Sequence, residues 1–109
     1  MNQLPNAALA VVDRAKIHNY LLNAQNPQNG GKAGLFVRFG FSQNKWEQLA
    51  EAIATHPVDN AVTVEVASLH GRKFVVRCNL RTPDGRNPCL TTVWMMDIGS
   101  SIPRLVTAY

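Results

Sequence analysis

The spacing of apolar residues changes once along this chain, near residue 60. Before that point, apolar residues follow the spacing of one helix face, in a stripe made of Trp46, Leu49, Ala50, Ile53 and Ala54. After Asn60 every second residue is apolar, beginning with Val62, Val64 and Val66. Helices followed by strands predict an α+β fold, because segregated elements of the two kinds pack as layers.

Three helices are expected in the first part of the chain, over about residues 13–23, 32–39 and 42–56. Asp13 and Ser42 are good N-cap residues, and each follows an apolar residue that can pack against the first helical turn. The pair His56-Pro57 is expected to end the third helix, with His56 as a helix-end residue. The first helix places three residues on one face at helical spacing, namely Ile17, Tyr20 and Leu21.

Four strands are expected in the second part, over about residues 62–66, 73–81, 90–98 and 102–109. Pro103 cannot donate to a sheet ladder, which favours an edge position for the fourth strand. We therefore expect a single domain, residues 1–109. Its N-terminal helices (about 13–56) pack on one face of a four-stranded antiparallel sheet (about 61–109). The other face is expected to carry Lys73, Arg77 and Arg81.

The net positive charge is concentrated in the predicted sheet. Residues 1–66 hold five basic and five acidic residues, whereas residues 67–109 hold six basic residues against Asp84 and Asp97, which accounts for the whole net charge of +4. Such a one-sided excess favours a polyanionic partner, and a solubilising surface is the alternative. No apolar run approaches the roughly 20 residues that cross a bilayer, so no membrane partner is expected.

Cys78 and Cys89 fall in two predicted strands with a turn between them. Two buried thiols in a reducing compartment are favoured over a disulfide across that hairpin. Two cysteines and three scattered histidines do not form a zinc-binding spacing, and no nucleotide-binding motif is present, so neither a metal nor a cofactor is expected. The N-terminus does not resemble a signal peptide, and a cytoplasmic location is the expectation.

Lys32 and His70 are candidates for phosphate chemistry. Lys32 follows Gly30-Gly31 at the start of a predicted helix, where amide groups and the helix dipole attract phosphate; an exposed lysine beside a flexible loop is the simpler alternative. His70 can act as a general acid or base near neutrality. It stands just before Arg72 and Lys73, and a turn histidine without a role is the commoner case.

The predicted closing strand carries Arg104, Thr107 and Tyr109, which together would suit a phosphodiester. Cleavage of RNA requires few catalytic groups, because the ribose 2′-hydroxyl is the nucleophile. The enzyme supplies a base, an acid and cations for the phosphate charge. Many binding proteins hold the same side chains, so these residues leave catalysis and binding both open.

Several motifs, in their order along the chain, resemble those of a family of small bacterial proteins of unassigned function. They are Leu4-Pro5-Asn6-Ala7, Lys16-Ile17-His18-Asn19-Tyr20-Leu21-Leu22-Asn23, Gly31-Lys32-Ala33, Phe39-Gly40-Phe41 with Trp46 and Leu49, Gly71-Arg72-Lys73-Phe74-Val75-Val76, Thr92-Val93-Trp94 and Pro103-Arg104-Leu105-Val106-Thr107-Ala108-Tyr109. Members look like free-standing genes beside a small partner, or like C-terminal tips of polymorphic and contact-dependent toxins. Their architecture is similar to the barnase, EndoU, colicin and RelE group of metal-independent ribonucleases.

The resemblance implies RNA cleavage, with a cognate antitoxin or immunity protein as partner. Lys32 corresponds to the basic residue that follows the family's glycine, and the closing-strand signature corresponds to Arg104, Thr107 and Tyr109. Relatives often have a histidine just before that lysine, where this chain has Gly31, and a histidine-proline pair where it has Asn26-Pro27. If that histidine is the general base, this chain needs His70 instead or is a non-catalytic member.

Together with the one-sided charge, the resemblance thus implies a toxin-type, metal-independent endoribonuclease that cleaves bacterial tRNA or mRNA through 2′-hydroxyl attack. The expected catalytic residues are His70, Arg104, Thr107 and Tyr109, and the expected phosphate-binding residues are Lys32, Arg72, Lys73, Arg77 and Arg81. One alternative is a non-catalytic nucleic-acid- or protein-binding module of a toxin–antitoxin or immunity system. Another is an immunity or adaptor protein, which the net charge disfavours because immunity proteins of basic nucleases tend to be acidic.

Overall fold

The computed structural model describes residues 3–23, 25–26 and 32–109. In chain order the elements are a 3-10 helix (Ala7–Leu9), a π-helix (Ala15–Leu21), α1 (Lys32–Arg38), a second 3-10 helix (Gln43–Lys45), α2 (Trp46–Asp59), β1 (Val62–Ser68), β2 (Gly71–Asn79), β3 (Cys89–Asp97) and β4 (Arg104–Ala108). The helices precede the strands, which confirms the predicted α+β fold. Within the described part of the chain, no helix has both the length and the apolar character needed to cross a membrane.

The strands form an antiparallel meander in the order β1-β2-β3-β4, so β4 lies at an edge as predicted. Gly71 opens β2 opposite Asp97 with a φ of 136°. A Cβ at this position would lie 2.1 Å from the carbonyl oxygen of Met96. Only glycine therefore allows β2 to leave its turn this close to β3.

One face of the sheet, called the inner face below, carries the core. Phe74 pairs with Trp94, and Trp94 pairs with Leu105. All three side chains are buried, and they pack with buried helix residues that include Ile17, Leu21, Phe36, Leu49 and Ile53. Removal of this apolar surface from water is the main force that holds the helices on the sheet.

The opposite face, called the outer face, holds two cross-strand rows that reach β4. The first row consists of Val75, Val93 and Thr107, and the second of Arg77, Thr91 and Tyr109. Tyr109 and Thr91 exchange both of their backbone hydrogen bonds. Residues that face each other across an antiparallel pair lie on the same face. The meander therefore brings Arg77, Thr107 and Tyr109 to neighbouring positions.

Buried His56 anchors α2 to the sheet through a chain of hydrogen bonds. Its Nε2 lies 2.6 Å from the carbonyl oxygen of Cys78, and because a carbonyl only accepts, Nε2 carries the proton. Nδ1 therefore accepts a hydrogen bond of 2.8 Å from the Thr92 hydroxyl. The Thr92 oxygen in turn accepts the indole N–H of Trp94 at 2.8 Å. Each polar hydrogen in this series of hydrogen bonds has an acceptor, which offsets the cost of burying these groups.

The predicted end of the third helix at His56-Pro57 was wrong. α2 continues to Asp59 with Pro57 inside its last turn. The backbone N–H of Asn60 donates to the carbonyl oxygen of His56 at 3.0 Å, and the Asn60 side chain donates to the carbonyl oxygens of His56 and Asn79. These bonds hold the last turn although Pro57 has no N–H to donate. His56 is accordingly a core residue rather than a helix-end residue.

The first helix also differs from the expectation. Arg14, not Asp13, occupies the cap position, and a π-helix follows in which the N–H of Leu22 donates to the carbonyl oxygen of Ile17 at 2.9 Å. Ile17 and Leu21 are fully buried. Tyr20, predicted on the same face, is only partly buried.

Two predictions about side chains of the sheet region were wrong, one about the face on which Arg81 lies and one about the burial of the cysteines. Arg81 lies beyond the end of β2 and donates to both carboxylate oxygens of Asp59 at the end of α2, so it is not on the outer face with Lys73 and Arg77. Cys78 and Cys89 are free and exposed rather than buried. Cys78 leaves the inner face because its backbone has a φ of 137°.

The stability of the protein should fall as pH falls below about 6.5, the ordinary pKa of histidine. Burial lowers the pKa of His56 in the folded protein. Between that lowered value and about 6.5, the unfolded chain binds a proton that the folded chain does not, so acid favours unfolding. Urea unfolding followed by tryptophan fluorescence at a series of pH values measures this effect.

His56→Gln provides the control for this experiment. The variant should be less stable by roughly 1–3 kcal/mol, because it leaves part of the buried hydrogen-bond chain unsatisfied. Between the lowered pKa of His56 and about 6.5, the free energy of unfolding of this variant should change less with pH than that of the unsubstituted protein. Equal pH dependence in the two proteins would show that His56 is not the titrating group.

Candidate active site

Four polar side chains from both parts of the chain meet at the β4 edge of the sheet, and we call them the Lys32 cluster. Lys32, the first residue of α1, contacts Tyr20 of the π-helix, Thr107 of β4 and Tyr109, which follows β4. The Lys32 ammonium donates to the Thr107 hydroxyl at 2.8 Å and to the Tyr20 phenol oxygen at 3.2 Å. It lies 5.3 Å from the ring centroid of Tyr20 and 5.7 Å from that of Tyr109, within range of cation–π attraction.

Two irregularities of the backbone position the Lys32 cluster. In a regular strand Leu105 and Thr107 would point to the same face, since they are two residues apart. A shift of register where β4 pairs with Val93 and Trp94 places Leu105 on the inner face and Thr107 on the outer face. The second irregularity is the π-helix, which leaves Tyr20 partly exposed. Segments of π-helix are rare and occur frequently at functional sites.

The Lys32 cluster carries positive charge without an acidic partner among the described residues. The four ion pairs of the described chain all lie elsewhere. A second ammonium, that of Lys16, lies 5.5 Å from the Tyr20 ring. The hydrogen bond from Lys32 is the main cause that lowers the pKa of Tyr20, and the Thr107 hydrogen bond and the charges of Lys32 and Lys16 act in the same sense. Tyr20 is therefore a phenol that releases its proton more easily than usual.

A groove of about 680 Å³ opens on the outer face beside the Lys32 cluster, and its walls include Val64, Arg77, Thr91 and Tyr109. Arg77 and the neighbouring Lys73 are exposed and take part in none of the described ion pairs. The groove thus lies next to one partly buried ammonium and two exposed cationic side chains. Such a surface attracts an extended anion.

Arg104, a predicted catalytic residue, is engaged outside the Lys32 cluster. Its guanidinium donates to both carboxylate oxygens of Asp97, at 2.8 Å and 3.0 Å. This pairing lowers the pKa of Asp97 and raises that of Arg104. Both side chains are about half exposed, so the ion pair adds little stability, but it turns the guanidinium away from Thr107.

His70 lies in the turn between β1 and β2, where its carbonyl oxygen accepts the N–H of Ile98. The row that contains Thr107 crosses β2 at Val75. At about 3.3 Å per residue, the turn is roughly 16 Å along the strand from that row. The structure therefore does not bring His70 together with the Lys32 cluster.

The predicted phosphate-binding residues divide into two groups. Arg72 binds Glu65 at 3.0 Å and Arg81 binds Asp59 at 2.9 Å, so both arginines have carboxylate partners. The other group consists of Lys32, Lys73 and Arg77, none of which takes part in a described ion pair. The predicted loop and the departures from the family pattern involve Pro27, Gly30 and Gly31. These three residues lie outside the described part of the chain.

Tyr20 is the member of the Lys32 cluster that the sequence did not indicate. Its spacing from Ile17 and Leu21 assigned it to an apolar helix face, and nothing in the local sequence shows that its hydroxyl meets Lys32. The one available signal was the nearby Lys16, whose charge lowers the pKa of this phenol.

Removal of the Lys32 charge should raise the pKa of Tyr20 toward about 10, the ordinary value for tyrosine. The chain has two tyrosines, so a Tyr109→Phe background leaves only the phenol of Tyr20. Ultraviolet absorbance of the phenolate during an alkaline titration then reports the pKa of this one group. Lys32→Met should raise it, whereas Lys45→Met, which removes an exposed lysine outside the cluster, should not. An unchanged titration in Lys32→Met would refute the assigned cause.

Comparison with known proteins places the chain in a family. The chain belongs to the family described as Domain of unknown function (DUF6883), whose model matches residues 3–109. No curated protein sequence matches the chain. Its structure is similar to a chain of a contact-dependent growth inhibition toxin–immunity protein complex from Klebsiella pneumoniae 342, with a TM-score of 0.71 and 18% sequence identity, over 91% of this chain and 97% of that chain. The likeness shows that the two chains share a fold.

Proposed function

We propose that this member of the DUF6883 family is a toxin-type ribonuclease that cleaves bacterial RNA, either tRNA or mRNA, without a metal cofactor. The observation that carries the proposal is the Lys32 cluster. In it an ammonium holds a hydroxyl and a phenol of lowered pKa beside a groove that contains Arg77. Cleavage of RNA requires stabilisation of phosphate charge and transfer of protons, and these side chains are able to provide both.

The reaction uses a nucleophile that RNA itself contains. A base takes the proton of a ribose 2′-hydroxyl, the 2′ oxygen attacks the adjacent phosphorus, and the bond from phosphorus to the 5′ oxygen of the next nucleotide breaks. A proton from solvent water, delivered to that 5′ oxygen, completes the step. The products are a 2′,3′-cyclic phosphate and a 5′-hydroxyl, and DNA is not cleaved because it lacks the 2′-hydroxyl.

Each member of the Lys32 cluster has a role in this proposal. The phenolate of Tyr20, favoured by Lys32, takes the 2′ proton. The Lys32 ammonium remains charged and stabilises the negative charge that develops on the phosphate oxygens. The Thr107 hydroxyl accepts from Lys32 and donates to the Tyr20 phenol oxygen, so it holds the base beside the ammonium and favours the phenolate. Tyr109 is 53% exposed and offers an aromatic ring on which a neighbouring base stacks.

Lys73 and Arg77 bind the flanking phosphates in this proposal. Both lie on β2 and are exposed, and their charges act on the RNA backbone without regard to base sequence. His70 and Arg104 receive no role in the chemical step, since one lies in a distant turn and the other is bound to Asp97. The proposed catalytic site therefore lacks His70 and Arg104, two of the residues expected from the sequence to be catalytic.

The shared fold supports a place in a toxin–immunity system, because the similar chain is one of the proteins of a contact-dependent growth inhibition toxin–immunity protein complex. The net charge of +4 favours the toxin over the immunity protein, since immunity proteins of basic nucleases tend to be acidic. A ribonuclease made inside a bacterium requires a partner that blocks it, and an acidic immunity protein or antitoxin that covers the outer-face groove is the expected partner. Charge complementarity with Lys32, Lys73 and Arg77 would speed their association.

A non-catalytic RNA-binding module is the second candidate. It is favoured by Gly31, which stands before Lys32 where the family resemblance leads us to expect a histidine. In this case the same groove binds RNA and leaves it intact. The affinity would fall steeply with salt, because each bound phosphate releases counterions.

Incubation of the purified protein with total bacterial RNA in EDTA tests the proposal. We expect discrete fragments that end in 2′,3′-cyclic phosphates. Lys32→Met should slow cleavage by about 100-fold or more, because it removes a charge that stabilises the reacting phosphate. Thr107→Val should slow it to a smaller extent, because it removes a hydrogen bond that favours the Tyr20 phenolate. Two matched controls, Lys45→Met and Thr55→Val, make the same changes outside the cluster and should cleave at the normal rate.

Each other outcome has a defined meaning. Intact RNA, from protein shown to be folded and free of a bound inhibitor, would reject the ribonuclease, and salt-dependent RNA binding in that case would support the binding module. Normal cleavage by Lys32→Met would place the chemistry outside the Lys32 cluster. Arg104→Ala in the same assay tests the arginine of the closing strand, which we expect to be dispensable for the chemical step.

A further inference from the structure

The two cysteines do not lie as a regular antiparallel ladder would place them. Cys78 pairs with Leu90, and Cys89 pairs with Asn79. Paired residues share a face of the sheet, and successive residues alternate between faces. In a regular ladder Cys78 would share the inner face with Leu90, and Cys89 would point to the outer face. The two thiols would then lie on opposite sides of the sheet.

The backbone of Cys78 departs from the regular strand at this residue. Its φ is 137°, in a region that residues with a side chain rarely adopt. Cys78 is exposed although it follows buried Val76 by two residues on the same strand. Cys89 stands diagonally across the β2–β3 ladder from Cys78 and is also exposed. The positive φ therefore brings the two thiols together on the surface.

The core holds Cys78 in this conformation. The buried ring of His56 donates to the carbonyl oxygen of Cys78 at 2.6 Å, which fixes the peptide group that follows the strained residue. Sparsely populated backbone conformations cost free energy, and they persist where the surroundings impose them, often at functional sites. Burial of a thiol does not explain the strain, because both thiols are exposed.

We propose that Cys78 and Cys89 form a thiol–disulfide exchange site whose oxidant is a small disulfide such as glutathione disulfide. The thiolate of one cysteine attacks a sulfur of the oxidant, which forms a mixed disulfide and releases one thiol. The second cysteine then attacks the protein sulfur and releases the other thiol. The two cysteines lose two protons and two electrons, and the oxidant is reduced to two thiols.

Either cysteine is able to make the first attack, because both thiols are exposed. The neighbouring Cys78 side chain raises the pKa of Cys89, and Cys89 also lines the outer-face groove. Neither cysteine belongs to the Lys32 cluster, and the exchange is measured without RNA, so it does not depend on the proposed cleavage.

The experiment equilibrates the reduced protein with mixtures of reduced glutathione and glutathione disulfide, then blocks free thiols by alkylation and measures the mass. We expect a monomer that has lost two hydrogen atoms and has no thiol left to alkylate. Two free thiols in the most oxidising mixture would overturn the proposal. So would a glutathione adduct or a disulfide-linked dimer as the main product.

Single-cysteine variants test whether the second thiol releases the mixed disulfide. Both positions are exposed, so serine variants should keep the fold, which circular dichroism checks. Cys89→Ser should stop at a stable glutathione adduct on Cys78, and Cys78→Ser at one on Cys89, since neither variant has a second thiol to release it. A single-cysteine variant that forms no adduct in the most oxidising mixture would overturn the proposal.

Discussion

The way α2 lies on the sheet depends on a buried neutral histidine. Apolar contacts hold α2 against the inner face, but they have little directional preference. His56 adds direction, because its two ring nitrogens bind Cys78 of β2 and Thr92 of β3 in opposite senses. A rotation or a shift of α2 would break both bonds and leave polar groups buried without partners, which costs more than the loss of some apolar contact. One side chain thus sets the position of α2 relative to two strands.

With the inner face occupied by the core, the side chains proposed to carry the chemistry lie where regular structure is interrupted. A π-helix leaves Tyr20 partly exposed, a bulge turns Thr107 to the outer face, and a positive φ exposes Cys78. Without the bulge the Thr107 hydroxyl would point into the core, away from Lys32. Proteins commonly break local regularity where function requires it and compensate elsewhere, and the buried hydrogen bonds around His56 are such a compensation here.

The same interruptions explain which features could be predicted from the sequence. The change from helical to alternating spacing near residue 60 was sufficient for the α+β fold, since it reflects which side chains must be buried. The chemistry of Lys32, Thr107 and Tyr109 makes them predictable site residues, but their meeting depends on a bulge and on a chain path that no local pattern encodes. His56 was misassigned because Pro57 gives a strong local signal, whereas burial among three elements is a tertiary property. The pairing of Arg104 with Asp97 follows from strand register, which the sequence does not specify.

The Lys32 cluster joins residues that are far apart in the chain, so it forms late in the synthesis of the protein. Tyr20 and Lys32 leave the ribosome well before Thr107, and the cluster closes only after β4 has paired with β3. A translation product that stops after β3 has the helices and most of the sheet but lacks half of the cluster. The ribonuclease proposed above would therefore stay inactive while its own messenger is being read, and incomplete chains would not cleave the RNA of the cell that makes them.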